Sequence, residues 1–152
     1  MTAENTKRVN TPNDTLIIGS GRMATQFKEY LKAIQVPYTS WLRSEGSFTL
    51  GSRTKGAQRI LLLIPDKLIA SFIDENEAFL KNKILIHFSA TQRDPRILGF
   101  HPLGSFTLDQ QIDFAKVHFH GVHPESVFRE ALPFLTNNYK QLSETDMQLY
   151  HA

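Results

Sequence analysis

Residues 16 to 27 read Leu-Ile-Ile-Gly-Ser-Gly-Arg-Met-Ala-Thr-Gln-Phe, and the spacing Gly19-x-Gly21-x-x-Ala24 within them can bring a backbone against a phosphate. Glycine at the first position permits a tight strand-to-helix turn. Glycine at the second removes the side chain that would hold a diphosphate away from the main chain, and alanine at the last lets the helix settle closely on the strand. Gly19, Ser20, Gly21, Arg22, Met23 and Ala24 are therefore the candidate pyrophosphate residues. The amides that open the helix would face the phosphates, where the helix dipole adds attraction. Glycine-rich turns also join strands to helices without binding anything, and context separates the two. Leu16, Ile17 and Ile18 form an apolar run before the turn, and Met23, Phe27, Tyr30, Leu31 and Ile34 recur behind it at helical spacing.

A second strand is expected over Val36 to Leu42, with Pro37 tolerated near its start. The residue that follows such a strand meets the adenosine ribose: an acid accepts from a free 2′-hydroxyl, whereas arginine pairs with a 2′-phosphate. Arg43 and Ser44 stand there, roughly twenty residues beyond the glycine turn. A guanidinium gives phosphate two parallel donors and a hydroxyl adds a third, so the pair favours NADP over NAD. The alternative is a solvated loop arginine.

Other chemistry fits less well. His118-x-His120 would put two imidazoles on one strand face with His123 beyond, but no carboxylate completes a metal set at a recognisable spacing, and no metal is expected. Gly-Ser-Gly at 19–21 lacks the spacing of a hydrolase nucleophile elbow, and no Gly-Lys-Ser or Gly-Lys-Thr follows to make a P-loop. Phe27, Trp41, Phe72, Phe79, Phe88 and Phe100 sit in periodic apolar segments and read as core rather than base-stacking platforms.

These residues need elements to position them. Arg59 to Ile64 is a nearly continuous apolar run stopped by Pro65, as in a strand covered on both faces. Lys67 to Leu80 has helical spacing, Lys83 to Phe88 supplies the next strand, Val117 to Gly121 a further one, and Pro124 to Leu132 a helix. The alternation predicts a three-layer α/β domain on a mainly parallel sheet, bound at the carboxyl ends of its strands. Residues 43 to 59 are polar and glycine-punctuated, and the stretch from Ser44 to Gln58 is too short for a full helix-strand-helix excursion, so the sheet is expected to be abbreviated there. The 152 residues suffice for one well-buried domain, taken as 14–145 behind a flexible leader over 1–13. A net charge of +2 with scattered charges gives no nucleic-acid footprint. The absence of cysteine excludes disulfides and thiolate chemistry. With no signal-like N-terminus and no bilayer-length apolar run, the expected location is the cytoplasm, with no membrane partner.

Several segments in this order resemble the N-terminal domain of a two-domain Rossmann-like oxidoreductase family related to pyrroline-5-carboxylate reductases and the 6-phosphogluconate dehydrogenase superfamily. They are Gly19 to Ala24, Leu42-Arg43-Ser44, Leu63-Ile64-Pro65-Asp66, His87-Phe88-Ser89-Ala90 and His101-Pro102-Leu103-Gly104-Ser105-Phe106. The resemblance implies that Ile64, Pro65, Asp66 and Ser89 lie along the cofactor toward its nicotinamide, with His101 near the reactive end in an undefined role. It names no catalytic residue. It also implies a helical second domain that completes the substrate pocket and makes the dimer, and Asp146 to Ala152 reads as the opening of that domain's first helix. The expectation is either a naturally reduced protein or the nucleotide-binding part alone. Such a chain keeps cofactor affinity, while a second copy or a partner supplies the groups that position a small-molecule substrate.

Overall fold

The computed structural model describes residues 14–103 and 113–150. The expected leader over 1–13, residues Gly104, Ser105 and Phe106 of the His-Pro-Leu segment, and the last two residues lie outside them. Five parallel strands, β1 (Thr15–Ile18), β2 (Thr39–Trp41), β3 (Arg59–Leu62), β4 (Ile84–His87) and β5 (Leu98–Gly99), form one sheet in the order β2-β1-β3-β4-β5. The crossovers are α1 (Arg22–Ala33), α2 (Gly46–Thr54), and the pair α3 (Asp66–Glu75) and α4 (Glu77–Leu80).

The period of two along each strand assigns the layers. Ile17, Leu61 and Ile86 pack with Ala24, Phe27 and Leu31 of α1, whereas Leu16, Ile18, Ile60, Leu62 and Leu85 pack with Leu50, Ile69, Ile73 and Leu80 of α2 to α4. The result is the expected three-layer α/β sandwich of Rossmann type. From β1 the chain steps out to β2 and returns past β1 to β3, which makes β1 the switch point where a crevice opens at the carboxyl ends. Among the described residues no strand stands outside β2, because α2 crosses straight back to β3.

A smaller sheet follows, β6 (His101–Pro102), β7 (Phe119–Gly121) and β8 (Tyr139–Gln141), in that order, with β7 antiparallel to β6 and parallel to β8. Only Phe100 separates β5 from β6, so a single segment leaves one sheet and enters the next. Helix α5 (Glu125–Ala131) and helix α6 (Glu144–Tyr150) complete the described chain. The Asp146 amide donates to Ser143 Oγ at 3.0 Å, and α6 therefore begins before the expected boundary at 146. Its Met147 is buried.

Several elements differ from expectation for identifiable reasons. The strand expected from Val36 starts at Thr39, because the Val36 amide instead caps α1 by donating to the Leu31 carbonyl at 2.9 Å. The polar stretch after β2 contains α2, whose only buried residues are Leu50 and Thr54, too few to print an apolar stripe. The helix expected over 67–80 breaks at Asn76, whose Nδ2 donates back to the Phe72 carbonyl at 2.9 Å. Pro124 is the N-cap of α5 rather than part of its first turn. Of the aromatics read as core, Phe79 is partly exposed.

At the amino ends of the strands, the Arg59 guanidinium meets Asp14 Oδ2 at 2.6 Å, and its Nε donates to the Ala131 carbonyl at 2.9 Å. Both side chains are fully enclosed, so removing one partner strands the other charge away from water. Arg59→Met is expected to cost about 3–5 kcal/mol of unfolding free energy in urea denaturation. An unchanged midpoint would show the pair to be idle.

Candidate functional site

Across the carboxyl ends of β2, β1, β3 and β4 runs a crevice of about 1070 Å³. Eleven of the twelve residues singled out from the sequence line it: Gly19, Ser20, Gly21, Arg22, Met23, Arg43, Ser44, Ile64, Pro65, Asp66 and Ser89. Ala24 does not. It is fully buried against the sheet, where its small side chain lets α1 approach β1.

The two glycines serve different ends. At Gly19, with φ +140°, a Cβ would stand 2.1 Å from the Leu63 carbonyl oxygen. Only hydrogen fits there. A Cβ at Gly21 would meet no protein atom within 4 Å, so the space above that residue belongs to the crevice. Gly21 is also the N-cap of α1, without a side-chain cap and with no acid in the first turn. The first amides of the twelve-residue helix are thus left to solvent or ligand. From the helix, Lys28 Nζ donates to the Gly19 carbonyl at 3.1 Å, and burial followed by the charge of Lys32 lowers its pKa.

Arg43 and Ser44 sit in a 3-10 turn (Arg43–Glu45) directly after β2, both exposed. The neighbouring acid is already engaged: Glu45 pairs with Arg53 at 2.8 Å and accepts the Leu42 amide at 2.8 Å. The Arg53 hydrogen bond, then the Leu42 amide, holds its carboxyl below the usual range. Arg43 has no ion pair among the described residues. The guanidinium is therefore open to an anion, while the adjacent Glu45 is committed to Arg53 and the Leu42 amide.

At the far end, the turns after β3 and β4 are tied to each other. Ser89 Oγ donates to Asp66 Oδ2 at 2.6 Å, Thr91 Oγ1 donates to the same oxygen at 3.0 Å, and the Thr91 and Gln92 amides both donate to Ser89 Oγ at 3.1 Å. One donor and two acceptor sites exhaust a serine hydroxyl, so Ser89 borders the crevice with its capacity spent on the protein. The Ser89 amide donates to His87 Nδ1 at 3.0 Å. His87 is buried, and that burial pushes its pKa down to about 4.

Sequence reasoning missed the apolar flank formed by Leu42, Leu68, Phe72 and Phe88, together with Gly46 and Ser47 at the start of α2. Phe72 and Phe88 had the periodicity of core residues, and only the fold shows that they also face the opening. His101 Nδ1 lies 2.8 Å from the Phe88 carbonyl, which places it behind that flank. His118 is exposed while His120 is buried, and among the described residues no His, Cys, Asp and Glu side chains form a group of three able to hold a metal.

Two measurements test this geometry. Gly19→Ala is expected to destabilise the chain by at least about 2 kcal/mol, whereas Gly21→Val, with its side chain in open space, leaves the thermal midpoint nearly unchanged. Equal melting shifts would contradict the assignment. For His87, whose ordinary value of 6.5 is lowered in the fold, the unfolded chain binds the extra proton. Stability is then full above pH 6.5 and falls, by on the order of 3 kcal/mol, as pH drops toward 4. Wild type should lose that much more than His87→Leu between pH 7 and 4 in denaturant titrations, and parallel losses would contradict a neutral buried imidazole.

No protein-family model matches the chain, and no curated protein matches it by sequence. Solved structures do match. A semialdehyde dehydrogenase NAD-binding protein from Cupriavidus necator, in complex with calcium and NAD, superposes over 90% of this chain and 65% of its own, at TM-score 0.60 and 15% identity. The pyrroline carboxylate reductase of Plasmodium falciparum with NADP bound gives TM-score 0.60 at 10% identity, over 90% of this chain and 60% of its own. A reductive aminase from Aspergillus terreus, in complex with NADPH and ethyl-5-oxohexanoate, gives 0.58 at 15% identity, over 93% and 61%. The chain spans 60% to 65% of the length of these proteins. It shares with them the Rossmann-like fold.

Proposed function

We propose that the chain is an NADP(H)-binding domain of an oxidoreductase that transfers hydride to or from a small carbonyl or imine substrate. One observation carries the reading: the glycine turn at the switch point, with open space above Gly21, lies in the same crevice as Arg43, which has no ion pair among the described residues. The residues fit the cofactor on their own chemistry. Uncapped amides suit a pyrophosphate, and an arginine beside a hydroxyl suits a 2′-phosphate.

In this reading the backbone of Gly19, Ser20, Gly21, Arg22 and Met23 binds the pyrophosphate, and Arg43 and Ser44 bind the 2′-phosphate. Leu42, Leu68 and Phe72 exclude water from the adenosine side. Ile64, Pro65, Asp66 and Ser89 border the nicotinamide side, and Ala24 acts by letting α1 close on β1. When bound, the nicotinamide supplies the hydride chemistry, and the chain's own part is to bind and orient it. NADP-bound and NADPH-bound proteins among the structural neighbours support the choice of cofactor.

A second reading, a dinucleotide-binding module without catalysis of its own, is supported by the spent hydroxyl of Ser89 at the β4 end. Cofactor oxidation with a panel of keto acids and cyclic imines separates the two: turnover by the purified chain supports the enzyme, and a flat trace alongside saturable NADPH binding supports the module. In calorimetric titration Arg43→Ala is expected to weaken NADPH by about 1–3 kcal/mol and NADH much less. Gly21→Val should obstruct both. Equal losses of NADPH and NADH in Arg43→Ala would remove the 2′-phosphate role.

A further inference from the structure

We infer that His87 is a positioning residue, which fixes the turn after β4 as the end wall of the crevice and so governs how that end receives a dinucleotide; the inference rests on the binding proposed above. Its direction follows from the sheet order. Arg43 follows β2 and Ser89 follows β4, three strand spacings away, or about 14 Å. A dinucleotide with its 2′-phosphate at Arg43 and its pyrophosphate over β1 must carry its other half toward β4.

That end is built around the His87 ring. Nδ1 accepts the Ser89 amide at 3.0 Å, and the Ser89 hydroxyl in turn gathers the Thr91 and Gln92 amides and donates to Asp66. Gln92 Nε2 also donates to the Asp66 carbonyl at 3.1 Å. The turn after β4 is thereby latched to the start of α3, with His87 as its anchor inside the sheet. An independent feature guards the ring's position: a Cβ at Gly99 on the adjacent strand β5 would stand 2.6 Å from His87 Cε1 and 2.7 Å from Nε2. The neighbouring strand forgoes a side chain where the imidazole lies. A neutral ring with its proton on Nε2 leaves Nδ1 an acceptor, and burial maintains the neutral form even though the Asp66 charge nearby opposes it; Arg93, His123 and His101 also favour the neutral form.

His87→Leu keeps apolar volume but removes the acceptor, and His87→Asn restores an acceptor atom near the same place. Gly99→Ala displaces the ring without altering it, and it provides the same test should His87→Leu not fold. Each is titrated calorimetrically with NADPH and with adenosine 2′,5′-bisphosphate, which carries the Arg43 half of the ligand alone. The expected result is about tenfold weaker NADPH for His87→Leu and for Gly99→Ala, bisphosphate affinity within about twofold of wild type, and recovery of most NADPH affinity in His87→Asn. Unchanged NADPH affinity, or equal weakening of both ligands, overturns the positioning role while leaving the binding reading intact. Failure of wild type to bind either ligand would remove the binding reading and the role of His87 with it.

Discussion

The approach of Gly19 to the Leu63 carbonyl is the constraint on which the rest of the crevice depends. It presses the turn after β1 onto the exit of β3, and the Leu63 amide donates to the Ile18 carbonyl at 2.8 Å to hold the two together. Any side chain at that position would drive the strands apart. With the turn seated there, α1 starts over the strand ends, and Ala24, Phe27 and Leu31 carry it down across the sheet. The Phe27 ring then meets the Phe88 ring edge-on at 5.1 Å, so the helix that opens the crevice also packs on the residue leading into the turn after β4.

The enclosed ion pair and the crevice occupy opposite ends of the strands. The enclosed Asp14–Arg59 pair secures the amino ends, with the Ala131 carbonyl as its third member. At the carboxyl ends, Glu45 is paired so that Arg43 stays open, and Arg22, also at the crevice, has no ion pair among the described residues. Arg53 takes Glu45, while Arg43 two residues earlier faces the crevice without an ion pair among the described residues. In a chain with a net charge of only +2, pairing at Glu45 rather than overall charge leaves Arg43 available to an anion.

Much of this was legible in the sequence because the parallel strands are buried on both faces, and Leu16 to Ile18, Ile60 to Leu63 and Leu85 to Ile86 are written as apolar runs. The glycine turn was legible because its chemistry is local. Helix α2 was not, since Leu50 and Thr54 alone face inward, and neither was β8, a three-residue strand whose Lys140 and Gln141 are exposed. The latch between Asp66, Ser89 and His87 joins residues more than twenty positions apart, and no spacing rule announces it. Both Asp66 and Ser89 were singled out through a family resemblance, but their commitment to each other emerges only from the hydrogen bonds.

In the binding mode proposed above, the amides opening α1 receive a diphosphate. The most direct measurement is a heteronuclear NMR titration of the labelled chain with ADP-ribose, following backbone amide shifts residue by residue. Saturable shifts greatest at Ser20, Gly21, Arg22 and Met23 are the predicted result. Shifts confined to the face of the small sheet, or none at millimolar ligand, would contradict it.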